Sequence, residues 1–133
     1  MTRIAPPMPD WYVYLLSTYR LAGAKMDFPR YETKDDYDSF EPLQLATAKD
    51  IYSETELCYP GFAIRDLGYI CLATDLTGSG DPYFIKVTDG DNPPVYQVYH
   101  DVSDIGTVIE REGMEMMADS LAEFFMKARV GGR

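Results

Sequence analysis

The sequence predicts an α+β fold: an antiparallel meander sheet of about four to six strands, with N-terminal helices and a C-terminal amphipathic helix packed on it. Three observations lead to this prediction. A continuous apolar segment is followed by segments of strand-like pattern, turns rich in Gly, Pro and Asp separate them, and helix-capping residues stand before two amphipathic stretches. With 133 residues and no internal repeat, the chain is expected to form one domain over residues 1–133.

The N-terminal segment predicts an extended arm and then a helix. Residues 1–9 contain three prolines, which favour an extended arm. Asp10 is placed to cap a helix that starts at Trp11 and ends near Gly23. The following residues, 25–39, are charged and aromatic without a clear period, so we expect irregular structure there.

The next segment predicts a strand and a capped helix. Residues 40–46 (FEPLQLA) read as a strand, and Pro42 favours an edge position because proline donates no ladder hydrogen bond. Thr47 and Asp50 have the spacing of a capping box. We expect the helix to end at Pro60-Gly61 and to bury one face, formed by Ala48, Ile51, Tyr52 and Thr55.

The middle of the chain predicts the sheet. YICLAT, from Tyr69, is continuously apolar and is expected to be a central strand. Residues 82–88 (PYFIKVT) alternate, with Tyr83, Ile85 and Val87 on one face and Phe84 and Lys86 on the other. Residues 95–101 (VYQVYHD) follow a turn as the partner strand, and a further strand is expected around Thr107–Glu110.

The C-terminal helix has the clearest sequence signals. Ser120 and Glu123 have capping-box spacing, and Gly131-Gly132 is expected to stop the helix. A core-facing stripe recurs at helical spacing, formed by Leu121, Phe124, Phe125 and Ala128.

Composition limits the classes of function. The net charge of −10 disfavours binding to nucleic acids and anionic membranes and favours basic partners. Cys58 and Cys71 are too few for a disulfide scaffold, and we expect them to be small buried side chains in a reduced, cytoplasmic protein. No apolar run is long enough to span a membrane, and the N-terminus lacks the pattern of a signal peptide.

The glycine-rich segment TDLTGSGDPY, residues 74–83, has three interpretations. A phosphate-binding loop is disfavoured, because Asp75 and Asp81 would repel phosphate and no lysine accompanies the glycines. A cation loop formed by Asp75, Thr77, Ser79 and Asp81 stays open, although no metal site is assigned and no cofactor is expected. The favoured interpretation is a tight bend between two strands.

The remaining polar and aromatic residues bear on catalysis and on partner binding. His100 is the single histidine and stands in a predicted strand without a recognisable nucleophile motif, so an enzyme is a minor alternative. The tyrosines of the N-terminal third fit either packing or interface anchoring. Aspartates recur in the predicted turns where Lys and Arg are scarce, and we predict an acidic rim that binds a protein partner, formed by Asp66, Asp75, Asp81, Asp89, Asp91, Asp101 and Asp104.

Three segments form an ordered set of motifs: GYICLATDLTGSGDPYFIKV at 68–87, PPVYQVYHD at 93–101 and MADSLAEFF at 117–125. This set resembles the SUKH superfamily, which comprises fungal cell-wall-assembly regulators and bacterial relatives. The elements that match the family pattern are Gly80, Asp81 and Tyr83 in the turn, His100 at a strand end and Ser120 at the helix start. The Leu-Pro and Asn-Gly-Gly elements that often open the domain are missing from the N-terminal part.

The resemblance implies a non-enzymatic α+β domain. For bacterial members it implies an immunity protein that binds and neutralises a toxin domain, often a nuclease. No catalytic residue comes with the family, and its Gly-Asp turn has a structural role. The alternative is a regulatory or scaffold module that binds a protein other than a toxin.

Overall fold

The computed structural model describes residues 10–19, 21, 23–29, 40–58, 61–76, 81–90, 92–99 and 102–130. The expected N-terminal arm, residues 1–9, and the expected stop at Gly131-Gly132 lie outside these ranges.

The core of the fold is one antiparallel sheet in the order β6-β5-β4-β3-β2-β1-β7. The first six strands form a meander, in which each strand pairs with the next along the chain, and the seventh returns to pair with the first. The predicted α+β meander is therefore confirmed. The strands are β1 (Lys25–Pro29), β2 (Phe40–Leu45), β3 (Tyr69–Asp75), β4 (Tyr83–Lys86), β5 (Val95–Val98), β6 (Met114–Ala118) and β7 (Arg129–Val130).

Within the described ranges, five α-helices and three short 3₁₀ or π-helical turns accompany the sheet. The helices are α1 (Asp10–Tyr19), α2 (Ala48–Tyr52), α3 (Gly61–Ile64), α4 (Gly106–Glu112) and α5 (Leu121–Lys127). A π-helical turn, Ser53–Leu57, continues α2, and 3₁₀ turns occupy Arg65–Leu67 and Val87–Asp89.

Both faces of the sheet are covered, because the central strands are apolar on both sides. The predicted alternation in β4 is confirmed over Tyr83–Lys86: Phe84 pairs with Tyr96 on one face, and Ile85 pairs with Val95 on the other. Helix α5 covers the second face, where the ring of Phe124 lies 6.4 Å from that of Tyr83, measured between centroids. The π turn, α3 and α4 cover the first face.

The connection between β6 and β7 requires a curved sheet. Six inter-strand steps separate these strands, which is about 29 Å in a flat sheet. The chain from Ala118 to Arg129 contains the seven-residue helix α5 and a few extended links, and it reaches at most about 27 Å. The sheet must therefore bend toward α5, which places α5 on its concave side.

The helix caps predicted at Thr47 and Ser120 are confirmed, with one difference, whereas Asp10 is itself the first residue of α1. Thr47 Oγ1 accepts from the Asp50 N–H at 3.2 Å, and the Asp50 carboxylate accepts from the Thr47 N–H at 3.4 Å, which completes the capping box. Ser120 Oγ accepts from the Glu123 N–H at 3.1 Å. The Glu123 carboxylate, however, accepts from the N–H of Asp119, one residue before the cap.

Two predictions that concern the strands were wrong. Residues 25–29, expected to be irregular, form β1, because β2 and β7 supply hydrogen-bonding partners on its two sides. Pro42 lies in β2, which is an interior strand and not an edge. Its carbonyl accepts from the Leu76 N–H at 3.0 Å, so the nitrogen of Pro42, which has no hydrogen to donate, also faces β3. This position lies just beyond the last paired residues of β2 and β3.

Two helical predictions also require correction. Residues 107–110, expected to form a strand, lie in α4, and the strand follows as β6. Tyr52 was expected on the buried face of α2, but its side chain is exposed, whereas Ile51 and Thr55 are buried. The change from an α-helix to a wider π turn after Tyr52 alters the phase of the helix.

Replacing Phe124 with alanine should strongly destabilise the protein. Its side chain is fully buried between α5 and the sheet, so Phe124→Ala is expected to cost about 3–5 kcal/mol. Urea unfolding at neutral pH measures this loss. Met126→Ala is the matched control on the same helix: Met126 is 83% exposed, and its loss should stay within about 0.5 kcal/mol. Equal losses for the two variants would contradict the placement of α5.

Candidate protein-binding surface

The glycine-rich segment connects two neighbouring antiparallel strands, as the bend interpretation predicts. Asp75 ends β3 and Asp81 precedes β4, and both side chains are half-buried. The Gln97 side chain donates from Nε2 to the Asp81 carbonyl at 3.1 Å, which fixes the second half of the bend against β5. Tyr83 follows and is fully buried. Residues 77–80, which include Gly80 and two of the candidate cation ligands, lie outside the described residues.

The described aspartates of the predicted rim fall into three regions. Asp75 and Asp81 lie at the β3–β4 end of the sheet, and Asp89 follows β4 at the opposite end. Asp66 and Asp104 lie on the side of the sheet that α3 and α4 cover. Asp91 and Asp101, like His100, lie outside the described residues. The aspartates described by the structure therefore do not form one continuous rim.

A group of exposed apolar side chains lies beside Asp66 and Asp104. Leu57, Phe62 and Ile105 are 61%, 47% and 57% exposed, and Val102 is 42% exposed. We call these four residues the apolar patch. Such a group is typical of a protein-binding surface. A partner that covers these exposed apolar side chains removes them from water, and the hydrophobic effect makes this burial favourable.

Backbone contacts bring the parts of the apolar patch together. The Phe62 N–H donates to the carbonyl of Cys58, next to Leu57, at 3.1 Å. Gly106, next to Ile105, lies directly against Ala63, next to Phe62. The backbone segments that carry Leu57, Phe62 and Ile105 are therefore neighbours in space.

Two glycines allow these segments to approach so closely. A Cβ added to Gly61 would lie 1.8 Å from the Glu54 carbonyl oxygen, and one added to Gly106 would lie 2.2 Å from the Ala63 carbonyl oxygen. Both contacts are with backbone atoms, which cannot rotate away. The glycines thus allow α3 to pack closely between the π turn and α4.

The charges around the apolar patch are negative. The Asp66 side chain is 80% exposed, and Asp104 is exposed. The nearby cation, Arg65, is bound by the Glu56 carboxylate and has Asp66 at 3.7 Å, so two carboxylates neutralise it. Lys86, Arg111 and Lys127 are likewise paired with glutamates. The patch therefore favours a partner with cationic groups around an apolar centre.

Glu110 ties α4 to the sheet. Its carboxylate accepts from the Tyr69 hydroxyl at 2.8 Å and from Lys86 Nζ at 2.9 Å, and the ammonium lies 5.5 Å from the centre of the Tyr69 ring. The hydrogen bond from Lys86, followed by that from Tyr69, lowers the pKa of Glu110. This arrangement holds α4 in place and contacts β3 and β4 together.

Of the two cysteines, both expected to be buried, Cys71 is buried and Cys58 is half-buried. Cys71 is fully buried; its N–H donates to Thr55 Oγ1 at 3.0 Å and its thiol to the Ala73 carbonyl at 3.4 Å. Cys58 is half-buried, and both thiols are free. Burial, with the charge of Glu54, raises the pKa of each thiol, which keeps them protonated and weakly nucleophilic.

Two further findings concern the part of the chain that the structure describes. No three His, Cys, Asp or Glu side chains come together there in a group that could hold a metal ion. None of the helices there combines the length and apolar character needed to cross a membrane.

Comparison with known proteins gave no match to any family model, to any curated protein or to any solved structure. The resemblance to the SUKH superfamily therefore rests on the motifs of the sequence.

Sequence reasoning placed two acidic residues of this surface but missed its apolar part. Asp66 and Asp104 belong to the predicted rim, whereas Leu57, Phe62 and Ile105 received no role. Their signal is weak: each is a bulky apolar residue within four positions of a glycine that begins a helix. Of the tyrosines considered as anchors, Tyr12 is buried and Tyr14 is exposed.

Adding a methyl group at Gly106 should displace α4. Gly106→Ala is expected to cost about 2 kcal/mol, because its Cβ meets a backbone carbonyl. Gly113→Ala, at the other end of α4, is the control, because its Cβ would lie 3.2 Å from the nearest atom, the Ile109 carbonyl oxygen. Both substitutions reduce the conformational freedom of the unfolded chain in the same way. Urea unfolding of both variants should rank Gly106→Ala as clearly the less stable, and the reverse order would contradict the close approach of α3 and α4.

The Glu110 contacts should make a pH-dependent contribution to stability. Because the pKa of Glu110 is lower in the folded protein than its ordinary value of 4.5, the contribution is present above pH 4.5 and is lost as the pH falls through the lowered value. Glu110→Gln should therefore be less stable than the wild type at pH 7, and the difference should shrink toward pH 3. A difference that is the same at both pH values in urea unfolding would contradict the charged contacts.

Proposed function

We propose that this chain is a non-enzymatic protein-binding module, and that it is an immunity protein which binds and neutralises a basic toxin domain. The observation that carries the proposal is the apolar patch flanked by Asp66 and Asp104. Specific interfaces commonly combine an apolar centre with a polar rim, and a few large side chains supply most of the binding energy. Phe62, Ile105 and Leu57 are the anchors in this proposal.

The charge of the chain supports a basic partner. A net charge of −10 attracts a cationic protein over a distance and speeds its association, an effect that weakens as salt is added. Nuclease domains are commonly basic because they hold a polyanion.

The SUKH-like motifs support the toxin-directed form of the proposal. Two of their elements have structural roles consistent with that resemblance: Ser120 caps α5, and Tyr83 packs beneath it. The proposal also assigns the protein to the cytoplasm of the producing cell, where the thiols of Cys58 and Cys71 would stay reduced.

The decisive experiment is co-expression with the toxin domain encoded beside this gene. The wild type should protect the cells and co-purify with the toxin. Phe62→Ala combined with Ile105→Ala should lose protection and weaken the complex at least about tenfold, the loss of two anchor side chains. Met126→Ala, which removes an exposed side chain on the other face of the sheet, should protect as the wild type does.

A second pair of variants tests the charges. Asp66→Lys combined with Asp104→Lys should slow association with the toxin in stopped-flow measurements at low salt, and the difference from the wild type should diminish in high salt. A wild type that neither protects nor binds would contradict the toxin assignment. A gene without a toxin neighbour, whose product binds a regulatory protein through the same patch, would establish the scaffold alternative.

A further inference from the structure

Strand β6 forms an edge of the sheet. Met114–Ala118 pairs with β5 on one side, and no other strand of the described residues pairs with its opposite side. At the far end of the meander, β1 is paired with β7. Unpaired edge strands offer backbone donors and acceptors to another extended chain.

The ladder determines which backbone groups point outward from β6. The Tyr99 N–H donates to the Gly113 carbonyl at 2.8 Å, so Gly113 faces β5. Because successive residues of a strand direct these groups to opposite sides, Met114 and Met116 direct theirs away from β5, while Glu115 directs its own toward β5. Two residues thus present outward N–H and C=O groups at the spacing of a β-ladder.

The side chains of β6 define the chemistry of an added strand. Met114 and Met116 share one face of the sheet, and Met116 is 49% exposed. Methionine adapts its shape to different apolar partners. Glu115 is exposed on the other face, with Asp119 exposed just beyond the strand. An added strand should therefore place a cationic residue opposite Glu115 and apolar residues on either side of it.

The same geometry disfavours a second copy of this chain as the occupant. The antiparallel pairing that uses both outward residues would set Met114 opposite Met116 of the copy. It would then set Glu115 directly opposite its own counterpart. Like charges at directly opposed positions destabilise a sheet, and each copy carries a net charge of −10. Charge complementarity favours a basic strand.

The edge adjoins the apolar patch. Val102, a member of the patch, lies against Gly113, where the chain enters β6. A partner that covers Val102 would therefore be close to the start of β6.

We infer that β6 is a docking edge, at which an extended segment of the partner with alternating apolar and basic residues adds as a further strand. This inference rests on the proposed protein-binding function and names its mode. The added segment bonds to the backbone of Met114 and Met116, and one of its lysines or arginines pairs with Glu115.

The test uses a labelled synthetic peptide of alternating valine and lysine as the probe. Fluorescence anisotropy with the full chain should show saturable binding below about 1 mM, whereas a peptide of alternating valine and glutamate should not bind. Met116→Pro removes an outward donor and leaves the β5 hydrogen bonds in place, so affinity should fall at least about tenfold. Met116→Leu keeps the donor and should bind within about twofold of the wild type.

A second measurement covers the case in which Met116→Pro alters the fold, which its thermal unfolding would reveal. The valine-lysine peptide with N-methylated valines keeps its charges. It lacks the N–H donors that would face Met114 and Met116. It should not bind the wild type.

Several outcomes would overturn the inference: no binding at about 1 mM, equal binding of the methylated peptide, or unchanged affinity in folded Met116→Pro. A wild-type dimer in light scattering that Met116→Pro dissociates would instead assign the edge to a second copy. These outcomes are separate from the co-expression result. Peptide binding at β6 without protection contradicts only the toxin assignment, and protection that survives in Met116→Pro contradicts only the docking edge.

Discussion

The short path from β6 to β7 is the constraint on which the rest of the architecture depends. Helix α5 and its flanking residues must carry the chain from one edge of a seven-stranded sheet to the other, and a flat sheet is too wide for them. Curvature follows, and the concave side is filled by Phe124 against Tyr83. The convex side is left to α3, α4 and the π turn, which carry the apolar patch. One edge of the meander is closed by β7, and β6 is left at the other.

Local signals predicted the parts of the fold that local interactions determine. Thr47 and Ser120 were identified as caps because a hydroxyl before an amphipathic segment satisfies free N–H groups within three residues. Strand β3 was identified because a buried central strand is apolar throughout. Strand β1 was missed, since its partners lie elsewhere in the chain. Residues 107–110 were assigned to a strand and β6 was not predicted, because the β-branched residues occur in the helix and the methionines in the strand, against their usual preferences.

The binding surface was predictable in its charge and not in its shape. Turn aspartates follow from composition, and Asp66 and Asp104 lie where a partner could reach them. Their grouping with Leu57, Phe62 and Ile105 depends on the contact of Gly106 with Ala63, which joins segments far apart in sequence. The pairing of Arg65 with Glu56 could not be predicted from composition either. It neutralises a positive charge at the surface, while the neighbouring Asp66 stays exposed.

The pairing of β7 with β1 has a consequence for how the protein folds. Met26, near the start of the sheet, pairs with Val130, so this last ladder closes almost the whole chain into a loop. Contacts between such distant residues form slowly, because the entropy of loop closure is lost before the contact repays it. During synthesis β1 and β2 can pair early, but β1 keeps an unsatisfied side until Arg129 and Val130 leave the ribosome. Until then the nascent chain exposes β1 as a second unpaired edge, to which another extended chain can pair.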